Sequence, residues 1–303
     1  MRISIVGPGA LGLLLYARLR KTAVCVELVD YKKVRIKRLS CDGIMLNDSQ
    51  GKKSSLSVQA GLLPHSPRLI ISAVKAGDIK KSFARIRKFI GGSYLLPLQN
   101  GMGWEKIYGR FFPESRIIRG LMMRGAALLG ENSVRESGRG EIFMNLMKET
   151  PEGSSVLRRT AALLRSAGFP VKIRKDMDKL IWQKLVLNSA LNPVASLSGL
   201  SNGKAYENRR LRRIMILAGR EALDVAEKEG VKLTFSVEKL LEKVCSSTYN
   251  NINSMLQDLR AGRKTEIEFL NGYLLRIARR RGVSLPVSES LYRLVKTLEN
   301  RNI

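Results

Sequence analysis

A chain of 303 residues with 44% hydrophobic and 26% charged side chains can bury a core large enough for two domains, which excludes a disordered or disulfide-stapled class. Three cysteines, Cys25, Cys41 and Cys245, are odd in number and lack the short spacings of a zinc or redox site, so no metal is expected and they read as reduced, cytosolic and mostly buried. The net charge of +28 is shared evenly, +15 over residues 1–150 and +13 over 151–303; it suits anionic ligands and forms no basic tail, so no specific nucleic-acid partner is expected.

The N-terminus MRISIVGPGALG enters a strand and a glycine loop after two residues, with no apolar stretch ending in a small-residue cleavage site, and a cytoplasmic location is expected. Ile3 to Val6, Val24 to Val29, Leu69 to Val74 and Tyr94 to Leu98 read as strands, and Ala10 to Arg20 as an amphipathic helix between the first two. This alternation predicts an α/β domain, a doubly wound parallel sheet with crossover helices. Arg116 to Gly120 and Ile142 to Met147 are expected to extend that sheet, and a helix over Ser154 to Ser166 to close it. Phe169 to Ile173 reads as a last strand.

From Asp176 onward helical periodicity takes over, through Asp178 to Ala190, Leu211 to Glu229, Val237 to Val244 and Glu266 to Arg281. The expected division is 1–172 for the α/β domain and 173–303 for an all-α helical domain. The longest uncharged run, Leu185 to Gly203, holds three asparagines, a proline and four serines, too polar for a membrane span. The basic clusters Arg209 to Arg213 and Arg279 to Arg281 fall in helical stretches and read as solvated faces.

Gly7-Pro8-Gly9-Ala10-Leu11-Gly12 is a G-x-G-x-x-G loop between a strand and a helix, the context in which that motif holds a dinucleotide. Its glycines permit a tight turn, a close approach of pyrophosphate to backbone, and close packing of helix on strand, while the helix N-terminus favours the anion. The second strand ends at Asp30, 18 residues past Gly12, where a carboxylate binds the ribose of NAD. Lys32 and Lys33 follow and can instead hold the 2′-phosphate of NADP. Lys75 and Asn100 stand just beyond the third and fourth strands, at the carboxyl edge where open α/β sheets bind ligands.

In the second half, Lys184, Asn188 and Asn192 recur every four residues, drifting about 40° per step, so a cation and two amides share one stripe of an otherwise apolar helix. Buried polar groups need partners, and a polar ligand would supply them. Farther on, Gly262 suits a helix stop, and Thr265-x-x-Glu268 reads as a capping box that starts the next helix with Glu266 in its first turn. A break there can bring Ser254 and Glu266 toward one site; taken alone, Glu266 equally suits a carboxylate that complements the helix dipole.

Taken together, the glycine loop, Val74-Lys75-Ala76, Gln99-Asn100-Gly101-Met102-Gly103, Lys184 with Asn188, Asn192 and Pro193, and Ser254-Met255-Leu256-Gln257-Asp258 through Thr265-Glu266-Ile267 resemble the ketopantoate (2-dehydropantoate 2-) reductase family, in the family's order and over nearly the whole chain. The resemblance implies a Rossmann domain, a helical domain and an active site in the cleft between them. It implies NAD(P)H-dependent reduction of 2-dehydropantoate to pantoate, in pantothenate biosynthesis, by hydride transfer to the keto carbon with Lys184 as proton donor. By matching motif, Asn188, Asn192, Asn202 and Ser254 resemble substrate contacts, Asn100 a contact to both cofactor and substrate, and Lys75 and Glu266 cofactor-side and active-site contacts. Gly125 resembles a backbone contact to the cofactor, although Gly120 to Ala126 lacks the threonines common there. NADP(H) is the family's usual cofactor; Asp30, standing where an arginine is common, leaves NAD(H) open. The rival expectations are a reductase of another 2-keto acid and a redox-sensing or nucleic-acid-binding protein on the same fold. A homodimer is compatible with either.

Overall fold

The structure, a computed structural model, describes residues 2–48, 50–59, 61, 66–137 and 140–301; of Lys33 and Arg301 the backbone alone is described. The chain forms two compact units, one of residues 1–99 and 105–177, the other of 100–104 and 178–303. The first contains, in order, β1 (Arg2–Val6), α1 (Ala10–Leu19), β2 (Cys25–Val29), α2 (Lys33–Asp42), β3 (Ile44–Asn47), β4 (Lys53–Leu56), β5 (Leu69–Ser72), α3 (Ile79–Ile86), β6 (Tyr94–Pro97), α4 (Glu105–Tyr108), β7 (Ile118–Met122), β8 (Gly125–Leu128), β9 (Ser133–Ser137), β10 (Ile142–Leu146), α5 (Pro151–Ser166) and β11 (Val171–Ile173).

Strands β2, β1, β5 and β6 lie side by side in that order, all parallel. Their runs ISIV, LIIS and YLLP are buried on both faces, as strands covered by crossover helices must be. Because β2 and β5 flank β1 on opposite sides, the strand order reverses between β1 and β5, and the loops after these two strands meet at the switch point. Leu13, Leu14, Leu15, Tyr16, Ala17 and Leu19 of α1 are fully buried, which anchors the helix that follows the glycine loop.

Beyond β6 the arrangement departs from the expected single sheet. Strands β7 and β10 pair antiparallel, with Ile142 opposite Met122, and β11 adds parallel to β10; one bridge, Leu95 to Ile117, joins this group to β6. The pairing of β11 with β10 carries the first unit through Ile173, and the unit as a whole runs to Met177 where a boundary at 172 is expected. A further sheet, in the order β4, β3, β9, β8, was not foreseen: KSSL and SVRES are short, polar and partly exposed, and carry no strong apolar alternation.

Arg18 of α1 and Arg124, just before β8, both pair with Glu136 of β9, whose side chain is buried. Arg124 also lies over the Phe169 ring. The buried carboxylate thus ties the loop's helix to the outlying sheet. Cys245 is buried, which pushes its thiol up to about 12. Cys25 and Cys41 are exposed, contrary to expectation, one opening the edge strand β2 and the other in the last turn of α2.

The second unit comprises α6 (Met177–Leu197, its first residue still counted with the first unit), α7 (Asn202–Glu207), α8 (Arg209–Lys228), α9 (Val237–Ser247), α10 (Ser254–Arg260), α11 (Asn271–Arg281) and α12 (Pro286–Arg301). Val186, Ala190, Ala195, Met215, Ala218, Ala222 and Val225 are completely buried in its core. Asn208, Ser236 and Asn253 cap α8, α9 and α10 by accepting from backbone N–H groups of the first turn. Helix α6 runs well past Ala190, with Pro193 in its interior. Gly262, at φ +60°, follows the end of α10, as expected of a helix stop.

The expected capping box does not form. The Thr265 N–H and Oγ1 both donate to Glu299 Oε1 of α12, at 2.7 and 2.6 Å, while Glu268 accepts from Tyr292 and Arg276. A short turn over Ile267–Phe269 intervenes, and α11 starts at Asn271. Among the described residues no helix is long and apolar enough to cross a membrane.

Glu136→Ala should lower unfolding stability by about 3–5 kcal/mol, because it strands two arginines beside a buried gap. Urea denaturation measures this, and a loss below about 1 kcal/mol would show that the triad is not holding α1 to β9.

Candidate active site

In the first unit, the loop after β1 is shaped by what its glycines prevent. Gly7 sits at φ +99°, and a Cβ there would come within 2.7 Å of the Val74 nitrogen; a Cβ on Gly12 would lie 2.0 Å from the Gly7 carbonyl oxygen. These two glycines are demanded by the fold. Gly9 is different: its φ is −76°, and its Cβ would meet no atom nearer than Ala73 O at 3.9 Å. Neither conformation nor packing requires glycine at this position. What a side chain would fill is the space beside the first turn of α1, a helix with no side-chain cap. That space, next to free backbone donors, fits a pyrophosphate. Pro8, Ala10 and Leu11 complete the loop.

Asp30, at the end of β2, is buried; its Oδ1 accepts from the Lys32 N–H at 3.2 Å, and Arg35 Nη1 lies 3.9 Å from its Oδ2. Arg35 also donates to the Pro8 carbonyl, which links α2 to the glycine loop. The Lys32 side chain is exposed. Arg35 was not among the residues singled out from sequence, since its place in α2, five positions beyond Asp30, carries no motif.

At the carboxyl edge of the same sheet, Lys75 is half-buried and its carbonyl accepts from the Asp78 N–H. Below it, Gln99 Nε2 donates to Ser72 Oγ and to the Ser72 and Val74 carbonyls, and Tyr108 donates to Ser72 Oγ at 2.6 Å. Burial raises the Tyr108 phenol far above its ordinary range, so the cluster stays neutral. Gly125 opens β8 opposite Ser137, whose Oγ a Cβ would approach to 2.6 Å. Its lack of a side chain therefore has a packing cause.

The second unit gathers Lys184, Asn188 and Asn192 on α6 and places Asn100 and Glu266 together. The Asn100 Nδ2 donates to Glu266 Oε2 at 3.2 Å. Asn100 belongs to this unit, to which the next residues are bound: the Met102 N–H donates to the Phe269 carbonyl at 2.9 Å, while Trp104 Nε1 closes the segment on itself by donating to the Gly101 carbonyl. Gly101, at φ +77°, passes so close that a Cβ would be 2.2 Å from the Phe269 oxygen.

Burial pushes the Lys184 ammonium down from 10.5 to about 8, and the Glu266 carboxylate acts in the opposite direction. Lys184 and Asn188 are half-buried and Asn192 is buried, so the stripe is not a solvated face. Asn202 is buried in α7, its Nδ2 donating to Thr248 and its Oδ1 without a hydrogen-bond partner. Ser254 is exposed at the start of α10. Its neighbour Asn253, not singled out from sequence, accepts from the Leu256 N–H and from Ser196 while its own Nδ2 has no partner.

A cavity of about 530 Å³ in the first unit, lined by Arg18, Asp48, Arg124, Glu136 and Glu141 among others, includes none of these residues. Among the described residues no cluster of His, Cys, Asp and Glu could hold a metal ion.

Two family profiles match this chain: ketopantoate reductase PanE/ApbA over residues 3–149, and its C-terminal counterpart over residues 176–299. The 2-dehydropantoate 2-reductase of Halobacterium salinarum is 27% identical over 300 residues, and that of Pyrococcus horikoshii 28% identical over 301, with at least 98% of each chain covered. A D-mandelate dehydrogenase, solved as a ternary structure with NADH and anilino(oxo)acetate, superposes with a TM-score of 0.93 at 24% identity, covering 100% of this chain and 99% of its own. That similarity is one of fold.

Gly7→Ala and Gly12→Ala should each sharply lower the melting temperature, whereas Gly9→Ala should leave it nearly unchanged and weaken dinucleotide binding. Thermal melts beside a dinucleotide titration separate the cases; a Gly9→Ala protein that melts early would mean that this glycine serves the fold.

Proposed function

The chain belongs to the ketopantoate reductase family, and from that premise we propose that this oxidoreductase reduces the 2-keto group of 2-dehydropantoate to the hydroxyl of pantoate at the expense of a reduced nicotinamide dinucleotide. The observation that carries the proposal is the Lys184 ammonium, desolvated on a helix face shared with two amides and balanced by Glu266. When bound, the nicotinamide supplies the hydride that reaches the keto carbon.

Reduction of a ketone needs one proton as well, and Lys184 gives it to the keto oxygen. A lysine near 8 is still mostly charged at neutral pH and yields its proton more readily than a solvated one. Before transfer, the ammonium stabilises the negative charge that develops on that oxygen, an effect strengthened by the apolar surroundings of α6. Glu266 favours the Lys184 ammonium; Asn100 holds the Glu266 carboxylate and is assigned to both cofactor and substrate. Asn188 and Asn192, one and two turns beyond Lys184, offer amides to the substrate carboxylate and hydroxyl, with Asn202 and Ser254 as further contacts.

The glycine loop holds the pyrophosphate on α1, with Lys75 and the Gly125 backbone as further contacts on the cofactor side. NADP(H) and NAD(H) are discriminated at the end of β2: Asp30 suits a ribose diol, while Arg35 and Lys32 suit a 2′-phosphate. Asp30→Ala should move the ratio of NADPH to NADH dissociation constants toward NADPH. An equal effect on both would remove Asp30 from the ribose site.

The function is tested by assaying a panel of 2-keto acids with each cofactor; no turnover of 2-dehydropantoate refutes the substrate assignment. Lys184→Ala should lower kcat and kcat/KM together by roughly 10²–10⁴. A rise in KM alone would make Lys184 a binding group.

For the wild type, kcat/KM for reduction should fall as pH rises through about 8, where Lys184 loses its proton. Glu266→Gln removes the charge that favours the ammonium, so this fall should move to lower pH. A profile that stays put in Glu266→Gln would uncouple the two groups.

A further inference from the structure

Pro193 stands inside α6, one residue past Asn192. A helical carbonyl accepts from the N–H four residues on, so the Ser189 carbonyl, which should bond residue 193, is left without its helical partner. Ser189 is completely buried, and water is not at hand to replace the bond. An interior proline in such a place ordinarily kinks the helix, and the kink would fall on the turn that carries Asn188 and Asn192.

Asn271 supplies what Pro193 removes. Its Nδ2 donates to the Ser189 carbonyl oxygen at 3.1 Å, across 82 residues of sequence, and it too is completely buried. Its own Oδ1 has no hydrogen-bond partner. A residue kept for packing alone would not carry an amide here, because the orphaned acceptor is costly to bury. The donor is the part being used. Asn271 also opens α11 directly after the turn whose Phe269 carbonyl holds Met102, so one short segment binds both the Asn100 strand of chain and the α6 turn.

We propose that Asn271 is a positioning residue that substitutes for the proline's missing N–H and thereby fixes the rotation of Asn188 and Asn192 about the α6 axis. The functional half of this rests on the reading of α6 as the keto-acid face. The brace itself does not.

The test is a double-mutant cycle of Asn271→Ala and Pro193→Ala, read by steady-state kinetics, dinucleotide titration and thermal melting. Asn271→Ala should raise KM for the keto acid roughly tenfold, with a smaller change in kcat, an unchanged dinucleotide dissociation constant and a melting temperature lower by several degrees. In the Pro193→Ala background residue 193 regains its N–H, and Asn271→Ala should then cost little in either KM or melting temperature. Equal losses in the two backgrounds would overturn the proposal, since Asn271 would then act by packing. If Asn271→Ala alone fails to fold, a folded double variant supports the brace and an unfolded one overturns it. Were the wild type inert toward 2-keto acids, the proposed function would fall, and the melting cycle alone would still decide the brace.

Discussion

Taking an ammonium out of water is the expensive act in this molecule, and the arrangement of the helical unit follows from the need to compensate it. Lys184 rides on a helix flanked by Leu185, Val186 and Leu187, all buried, so its charge is disfavoured from the start. Glu266 opposes that effect, and a carboxylate brought in for the purpose must itself be held; Asn100 donates to it. Asn100 can do so only because Gly101 passes Phe269 without a side chain and Met102 binds the Phe269 carbonyl. The sequence of dependence runs from a charge, through a carboxylate and an amide, to a glycine.

The elements easiest to read were those with one dominant signal. ISIV followed by a glycine loop reads as a strand and the turn after it from a handful of residues, and the four-residue spacing on α6 marks Lys184, Asn188 and Asn192 together. Elements that depend on distant partners were harder. Strands β4 and β9 are short and polar, β3 and β8 are only four residues each, and all four exist because they pair with one another; β7 and β10 likewise take their place from pairing antiparallel with each other, which no local pattern marks. The Thr265-x-x-Glu268 pattern misled for the same reason: Glu299, 34 residues away, takes both Thr265 donors before the local box can form.

The site divides along similar lines. Glycine positions, Asp30 and the lysine stripe are visible because spacing alone marks them. Arg35 was invisible, since an arginine inside a charged helix looks like solvent dressing until its guanidinium is seen between Pro8 and Asp30. Asn271 was equally hidden. Its meaning depends on a proline 78 positions earlier in the sequence, and nothing local distinguishes it from an ordinary residue at the start of a helix.

The five residues 100–104 count among the helical unit although their chain neighbours on both sides belong to the α/β unit. The polypeptide therefore passes between the units three times, and no single cut separates them cleanly. A gene fragment beginning near codon 178 would encode Lys184 and Glu266 but not Asn100, and a fragment ending there would carry an asparagine whose partner is elsewhere. Exchange of whole helical units between diverged relatives would pair each Glu266 with a foreign Asn100 segment. Inheritance of this site is thus bound to the intact reading frame, and recombination within the gene is constrained even where the two units look like separate modules.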